Sequence, residues 1–149
     1  MSYVYAALLE PKPEGGFTVT FPEIGFGATY GATWDEALRQ AGDMLEEAVL
    51  GLMAHGEDVP VPALQTNAAP GDVTRRAPIA LPALTAAKLE VYRAMRQAEF
   101  DEAQLAARLG WTPKQVTHLF DGYHVVRLEQ LEAVITALGR CLVATSEAA

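Results

Sequence analysis

From Thr33 to Gly56 the sequence carries one unbroken amphipathic pattern, in which Trp34, Ala37, Leu38, Ala41, Met44, Leu45, Ala48, Val49, Leu52 and Met53 recur at three- and four-residue spacing. A stripe of that length requires a helix and an apolar surface for it to cover. Thr33 and Glu36 form a capping-box start, with the hydroxyl accepting from the Glu36 amide and the carboxylate reaching back. His55-Gly56 supplies the stop, a side chain able to carry positive charge at the carbonyl end followed by a glycine. Asp35, Glu36, Asp43, Glu46 and Glu47 fall mostly off the stripe.

The segments before this helix supply the surface. "YVYAALL" (3–9) is β-branched and aromatic, "EPKPEGG" interrupts it, and "FTVTF" (17–21) alternates in period two, so the pair reads as a hairpin with one face covered. A third short strand is expected at 26–31 after the "PEIG" turn, and "PIALP" (78–82) can add a strand to the same sheet. Residues 57–78 hold four prolines with almost no periodicity, and 63–77 is linker-like. Helices are then expected at 84–98, 101–109, 113–120 and 127–138, and "RCLVAT" (140–145) as a final strand able to pair with a second chain. The chain is thus α+β, with a βββαβ domain over 1–82 and an all-α domain over 83–149.

Charge divides along the same line. Residues 1–62 contain ten acids against Lys12 and Arg39, a net of −8, whereas 63–149 contain nine acids and nine bases, a net of zero. Such asymmetry points to an electropositive partner for the front half and allows nucleic acid for the back; acidity that only aids solubility is the plainer alternative. A single cysteine, Cys141, forms no internal disulfide and suits a reducing compartment, so cytoplasm is expected. No apolar run reaches the roughly 18 residues of a membrane span, and no leader is expected at the N-terminus.

"EAQLAARLGWTPKQVTHLF" meets five spaced requirements of a helix-turn-helix: Leu105, Ala106, Gly110, Val116 and Leu119. Ala106 lets two helices cross closely, Gly110 takes the positive φ of the turn, and Thr112 with Pro113 starts the second helix. A generic helical hairpin is the competing reading. If the motif reads DNA, Thr112, Lys114, Gln115, Thr117 and His118 form the contact set, with Gln115 and Thr117 toward base edges and Lys114 toward phosphate, while Arg108 and Arg127 brace the backbone. A unit of zero net charge binds duplex weakly alone, so a homodimer or higher assembly is expected, held partly through helix 127–138 and the terminal strand.

The front half, "EGGFTVTFPEIGFGATYGATWDEALRQAGDMLEEAVLGLMAHGEDVPVP", resembles the HicB antitoxin domain through Phe21, Pro22, Glu23, Gly31, Thr33, Glu36, Ala37, Gly56, Glu57 and Pro60. The back half, with "AAKLEVYRAM", "LAARLGWTPKQV", "YHVVRLEQLE" and "LGRCL", is similar to the helix-turn-helix of the longer HicB proteins. The family often has Pro-Gly after the acidic residue, and "EIGFG" lacks that proline. The resemblance implies a partial ribonuclease-H-like domain that caps the small basic ribonuclease HicA, joined to a domain that represses the shared operon by binding double-stranded operator DNA. It implies toxin-facing residues among Glu23, Ile24 and Phe26 of the loop and Asp43, Glu46 and Glu47 of the helix.

Catalysis is not expected. Two-metal nuclease chemistry needs carboxylates converging from strand interiors, and the interiors 4–8 and 17–21 hold none. Ser2 and Ser146 lie near the termini, and Cys141, His55, His118 and His124 show no zinc-ligand spacing. "GFGATYG" lacks the spacing of a phosphate-binding fingerprint. No cofactor, catalytic residue or metal ligand is assigned. A stand-alone helix-turn-helix regulator with a ligand-sensing front domain remains the second reading.

Overall fold

The computed structural model describes residues 3–62 and 75–146. The chain divides into two compact units, Met1–Pro82 and Ala83–Ala149.

Unit 1 contains β1 (Val4–Pro11), β2 (Phe17–Thr20), β3 (Thr29–Gly31), α1 (Trp34–Ala54) and β4 (Arg75–Ala80). All strand pairs are antiparallel, in the order β3-β2-β1-β4. Because strand side chains alternate, Tyr5, Ala7, Leu9, Val19 and Ala77 share one buried face, and α1 packs against that sheet through Ala37, Ala41, Leu45, Val49, Leu52 and Met53. Each fully buried large aliphatic side chain contributes about 1.5–3 kcal/mol. The opposite face, with Ala6, Leu8, Thr18 and Thr20, carries no helix among the described residues of the unit and is half-exposed. Thr33 caps α1 by accepting from the Glu36 amide at 3.2 Å, and the Glu36 carboxylate accepts from the Ala32 amide at 2.9 Å. At the far end the Tyr5 hydroxyl donates to the Pro60 carbonyl at 2.8 Å, which ties the chain leaving the helix to the sheet.

Three boundaries differ from the sequence expectation. β1 runs on to Pro11, which pairs with Phe17 at the end of the ladder, where a missing N–H costs little. β3 begins at Thr29, because Gly25 and Gly27 take φ of +81° and +78° and hold Phe26 in a turn. β4 begins at Arg75: Arg75, Arg76 and Ala77, assigned from sequence to the linker, pair with Leu9, Leu8 and Ala7 and satisfy the free edge of β1. The rest of that linker, 63–74, lies outside the described residues.

Unit 2 contains α2 (Ala83–Gln97), α3 (Glu102–Leu109), α4 (Pro113–Thr117) and α5 (Leu128–Ala137). Leu89, Leu105, Val116, Leu119, Leu131 and Val134 are fully buried, and Tyr92 meets Phe120 edge to face at 5.5 Å. α3 starts on a reciprocal capping box between Asp101 and Gln104 and stops at Gly110, whose φ of +68° reverses the chain. α4 is shorter than the expected 113–120: α-type bonding ends at Thr117, and the amides of Leu119 and Phe120 donate instead to Val116 and Thr117 in a tighter turn. Residues 140–145, expected to form a strand that pairs with a second chain, carry no strand pairing among the described residues of this single chain. Among the described residues no helix is long and apolar enough to cross a membrane.

Candidate functional site

The apolar stripe of α1 is wider than the sheet it covers. Met44 and Ala48 flank the buried positions, and together with Gly51, Leu52, Gly27 and the half-exposed ring of Phe26 they line a groove of about 530 Å³. Glu47, Glu57 and His55 also line it. Phe26 is 52 % exposed, displayed by the two left-handed glycines on either side of it. The groove combines an apolar floor, an aromatic ring and carboxylates, a surface suited to a partner carrying apolar and cationic groups.

The six residues expected to face a partner do not share one surface. Phe26 and Glu47 line the groove, and Asp43 lies one helical turn from Glu47 and is exposed. Glu46 is half-buried. Ile24 is a correction: at 6 % exposure it belongs to the core, since the turn made by the Ile24 and Gly25 amides donating to the Phe21 carbonyl folds it inward. Glu23 lies toward the face of the sheet opposite α1, its carboxylate 3.4 Å from the Ala6 amide and beside Leu8 and Arg76. Sequence reasoning missed Met44, Ala48 and Gly51 as groove residues. The signal for them was present in the excess width of the stripe over what a four-stranded sheet can bury.

In unit 2, Leu105, Ala106, Val116 and Leu119 are buried, which leaves Thr112, Lys114, Gln115 and Thr117 exposed around α4. Most of these are already engaged. Thr112 and Gln115 form a reciprocal box: the Gln115 amide donates to Thr112 Oγ1 at 3.3 Å and Gln115 Oε1 accepts from the Thr112 amide at 2.8 Å. The Gln115 side-chain NH₂ keeps its donors for an outside acceptor. Thr117 Oγ1 lies 2.6 Å from Glu102 Oε2 and 3.1 Å from the Pro113 carbonyl oxygen. Arg108 donates to the Ala137 carbonyl at 3.0 Å and stacks over Phe100, so it holds the end of α5 within the unit. Arg127 is exposed at the start of α5, and its amide donates to Gln130 Oε1.

His118 is half-buried and its ring stacks on that of His124 at 3.6 Å, with planes 10° apart. Between them Gly122, at φ +76°, turns the chain back so that His124 returns over the end of α4. Asp121 Oδ1 accepts from the amides of Tyr123 and His124, and its Oδ2 lies 2.5 Å from His124 Nδ1. Burial pushes the Asp121 carboxyl up, but these amide and imidazole hydrogen bonds outweigh it and hold the group below the usual carboxylate range. The linear spacing of these histidines gave no metal signature, yet the fold gathers His118, Asp121 and His124 with their ligand atoms within 4.8 Å of one another.

No protein-family model matches the chain. It is similar to Antitoxin HicB 1 of Photorhabdus laumondii subsp. laumondii, at 31 % identity over 143 residues that cover 96 % of this chain and 86 % of the relative. It is similar to Antitoxin HicB of Pseudomonas fluorescens at 32 % identity over 147 residues, covering 99 % and 96 %. Among solved structures, a chain of a toxin-antitoxin complex from Streptococcus pneumoniae aligns over 72 % of this chain and 95 % of its own, with TM-score 0.46 and 15 % identity. An alignment at this level with Antitoxin HicB that runs through both compact units shows that the chain belongs to the HicB antitoxin family.

Proposed function

We propose that the chain is an antitoxin that binds and neutralises a small basic mRNA-cleaving toxin of the HicA type through unit 1, and represses its own operon by binding operator DNA through unit 2. Kinship with antitoxins along nearly its whole length is the observation that carries this reading. The sheet-and-helix order β1-β2-β3-α1-β4 supports describing unit 1 as a partial ribonuclease-H-like domain. The groove with its carboxylates, in a front half of net charge −8, supports an electropositive partner there. Occupying a cationic ribonuclease with such a surface removes its RNA-binding face without any chemistry by the antitoxin.

For unit 2 the support is geometric. Helix α3, the left-handed Gly110 and the doubly capped α4 form a pair whose second helix displays Thr112, Lys114 and Gln115 outward, as in a helix-turn-helix. Exposed apolar side chains at Tyr123 (94 %), Val125 (95 %) and Leu128 support assembly as a homodimer or higher through this unit. Two copies on two half-sites compensate for the weak electrostatic attraction of one.

The test is co-purification at low salt with the small basic protein encoded in the adjoining reading frame, followed by an RNA-cleavage assay. A stable complex with cleavage suppressed is expected. Elution as two separate species with cleavage undiminished overturns the antitoxin reading.

A further inference from the structure

We propose that His118, Asp121 and His124 form a binding site for one divalent transition-metal ion of the Zn²⁺ class. The three residues each offer one ligand atom, and these atoms already lie within 4.8 Å of one another. A tetrahedral ion with bonds of about 2.0–2.2 Å holds its ligands about 3.3 Å apart. To reach that spacing the Asp121–His124 pair, now at 2.5 Å, opens while the wider separations close, and the side-chain torsions of exposed His124 carry most of the change. One ring rotates out of the stack to aim its lone pair at the ion.

The local fold prepares this closure. Gly122 reverses the chain, the amides of Tyr123 and His124 fix one oxygen of Asp121, and the other oxygen is already beside the His124 ring. Binding puts the ion in place of the Asp121 Oδ2–His124 Nδ1 hydrogen bond, and His124 then coordinates as a neutral imidazole that carries its one ring proton on Nε2. Two imidazoles and one carboxylate favour a borderline ion such as Zn²⁺, Co²⁺ or Ni²⁺; Mg²⁺ and Ca²⁺ prefer all-oxygen shells. Three protein ligands leave a fourth position for water. The inference depends on unit 2 alone and holds whether or not α4 contacts DNA.

The experiment uses the full chain with no affinity-tag histidines, titrated with Zn²⁺ by calorimetry and with Co²⁺ by visible absorption. One ion per chain is expected, with the Co²⁺ spectrum of a four-coordinate nitrogen and oxygen site and displacement of Co²⁺ by Zn²⁺. His118→Gln, Asp121→Asn and His124→Gln should each weaken binding at least about tenfold, while His55→Gln leaves it unchanged. Because His124 is exposed, His124→Gln decides the matter even if His118→Gln disturbs folding by circular dichroism. Absence of saturable binding at about millimolar Zn²⁺, far weaker than structural sites, or equal affinity in His124→Gln, overturns the proposal.

Discussion

The Thr117 hydroxyl lies 2.6 Å from the Glu102 carboxylate, tying the end of α4 to the start of α3. That contact leaves a carboxylate on the face through which α4 would meet duplex, where it opposes phosphate. Glu102→Gln keeps an acceptor for Thr117 and removes the charge. Its thermal melt should stay within a degree or two of the parent, since exposed polar changes of this kind alter stability by only about 0.5 kcal/mol. Affinity for promoter DNA at low salt should rise several-fold, about 1 kcal/mol, and the gain should shrink as salt screens it. Fluorescence anisotropy across a salt series checks this, and equal low-salt affinities would mean that duplex does not pass beside Glu102.

The capping box dictates how the α4 contacts are tested. Gln115→Ala removes the acceptor of the Thr112 amide, so it loses about 1 kcal/mol of helix stability together with any base contact. Gln115→Glu separates the two effects, because glutamate also completes a capping box. We expect Gln115→Glu to keep the parent urea midpoint and lose DNA binding more than tenfold. Lys114→Ala should weaken binding across sequences and lower the slope of log K against log salt by about one. A parent-like slope would place phosphate contacts elsewhere.

Two glycines should fail in different ways. A Cβ on Gly31 would lie 2.2 Å from the Ala37 backbone nitrogen, where neither strand nor helix can yield cheaply. Gly31→Ala should cost about 3 kcal/mol or more through overpacking and loosen β3 from α1. Gly110 has open space around its Cβ position but φ of +68°, so Gly110→Ala should cost only the left-handed penalty, about 1–2 kcal/mol. Chemical denaturation of the two full-length variants distinguishes them by magnitude, and comparable losses would show that the close approach at Gly31 relaxes.

These contrasts indicate which features sequence patterns can carry. The α1 start at Thr33, the Gly110 turn and the Thr112 cap were legible because each depends on a few adjacent residues with a strong local preference. The onset of β4 at Arg75 was not, because two arginines in a proline-rich stretch become a strand only when β1 offers an open edge. The early end of α4 depends on how Leu119 and Phe120 reach the core, a tertiary demand that overrides helical propensity. Ile24 and Phe26, two residues apart in one loop, differ in burial because of backbone reversals at Gly25 and Gly27 that hydropathy does not encode. The His118, Asp121 and His124 cluster was hidden for the same reason: its assembly rests on one positive φ at Gly122.

Unit 1 offers two faces to a partner, and substitutions can decide between them. Phe26 is half-exposed in the groove beside α1, whereas Glu23 sits with Arg76 toward the face of the sheet opposite α1. If the groove is the docking surface, Phe26→Ser should weaken toxin binding at least tenfold, since an aromatic side chain seated centrally commonly contributes 2 kcal/mol or more, roughly, to an interface. Glu47→Lys should act mainly on the association rate and reduce its salt dependence, as expected of a rim charge facing a cationic partner. Neither change touches the buried face of α1, so both melts should match the parent. Glu23→Gln should leave affinity within about twofold, the size expected of a polar change outside the contact. Surface plasmon resonance with immobilised toxin gives rate and affinity together. The opposite result, with Glu23→Gln impaired and Phe26→Ser silent, would move the interface to the face of the sheet opposite α1 and leave the groove without a role in neutralisation.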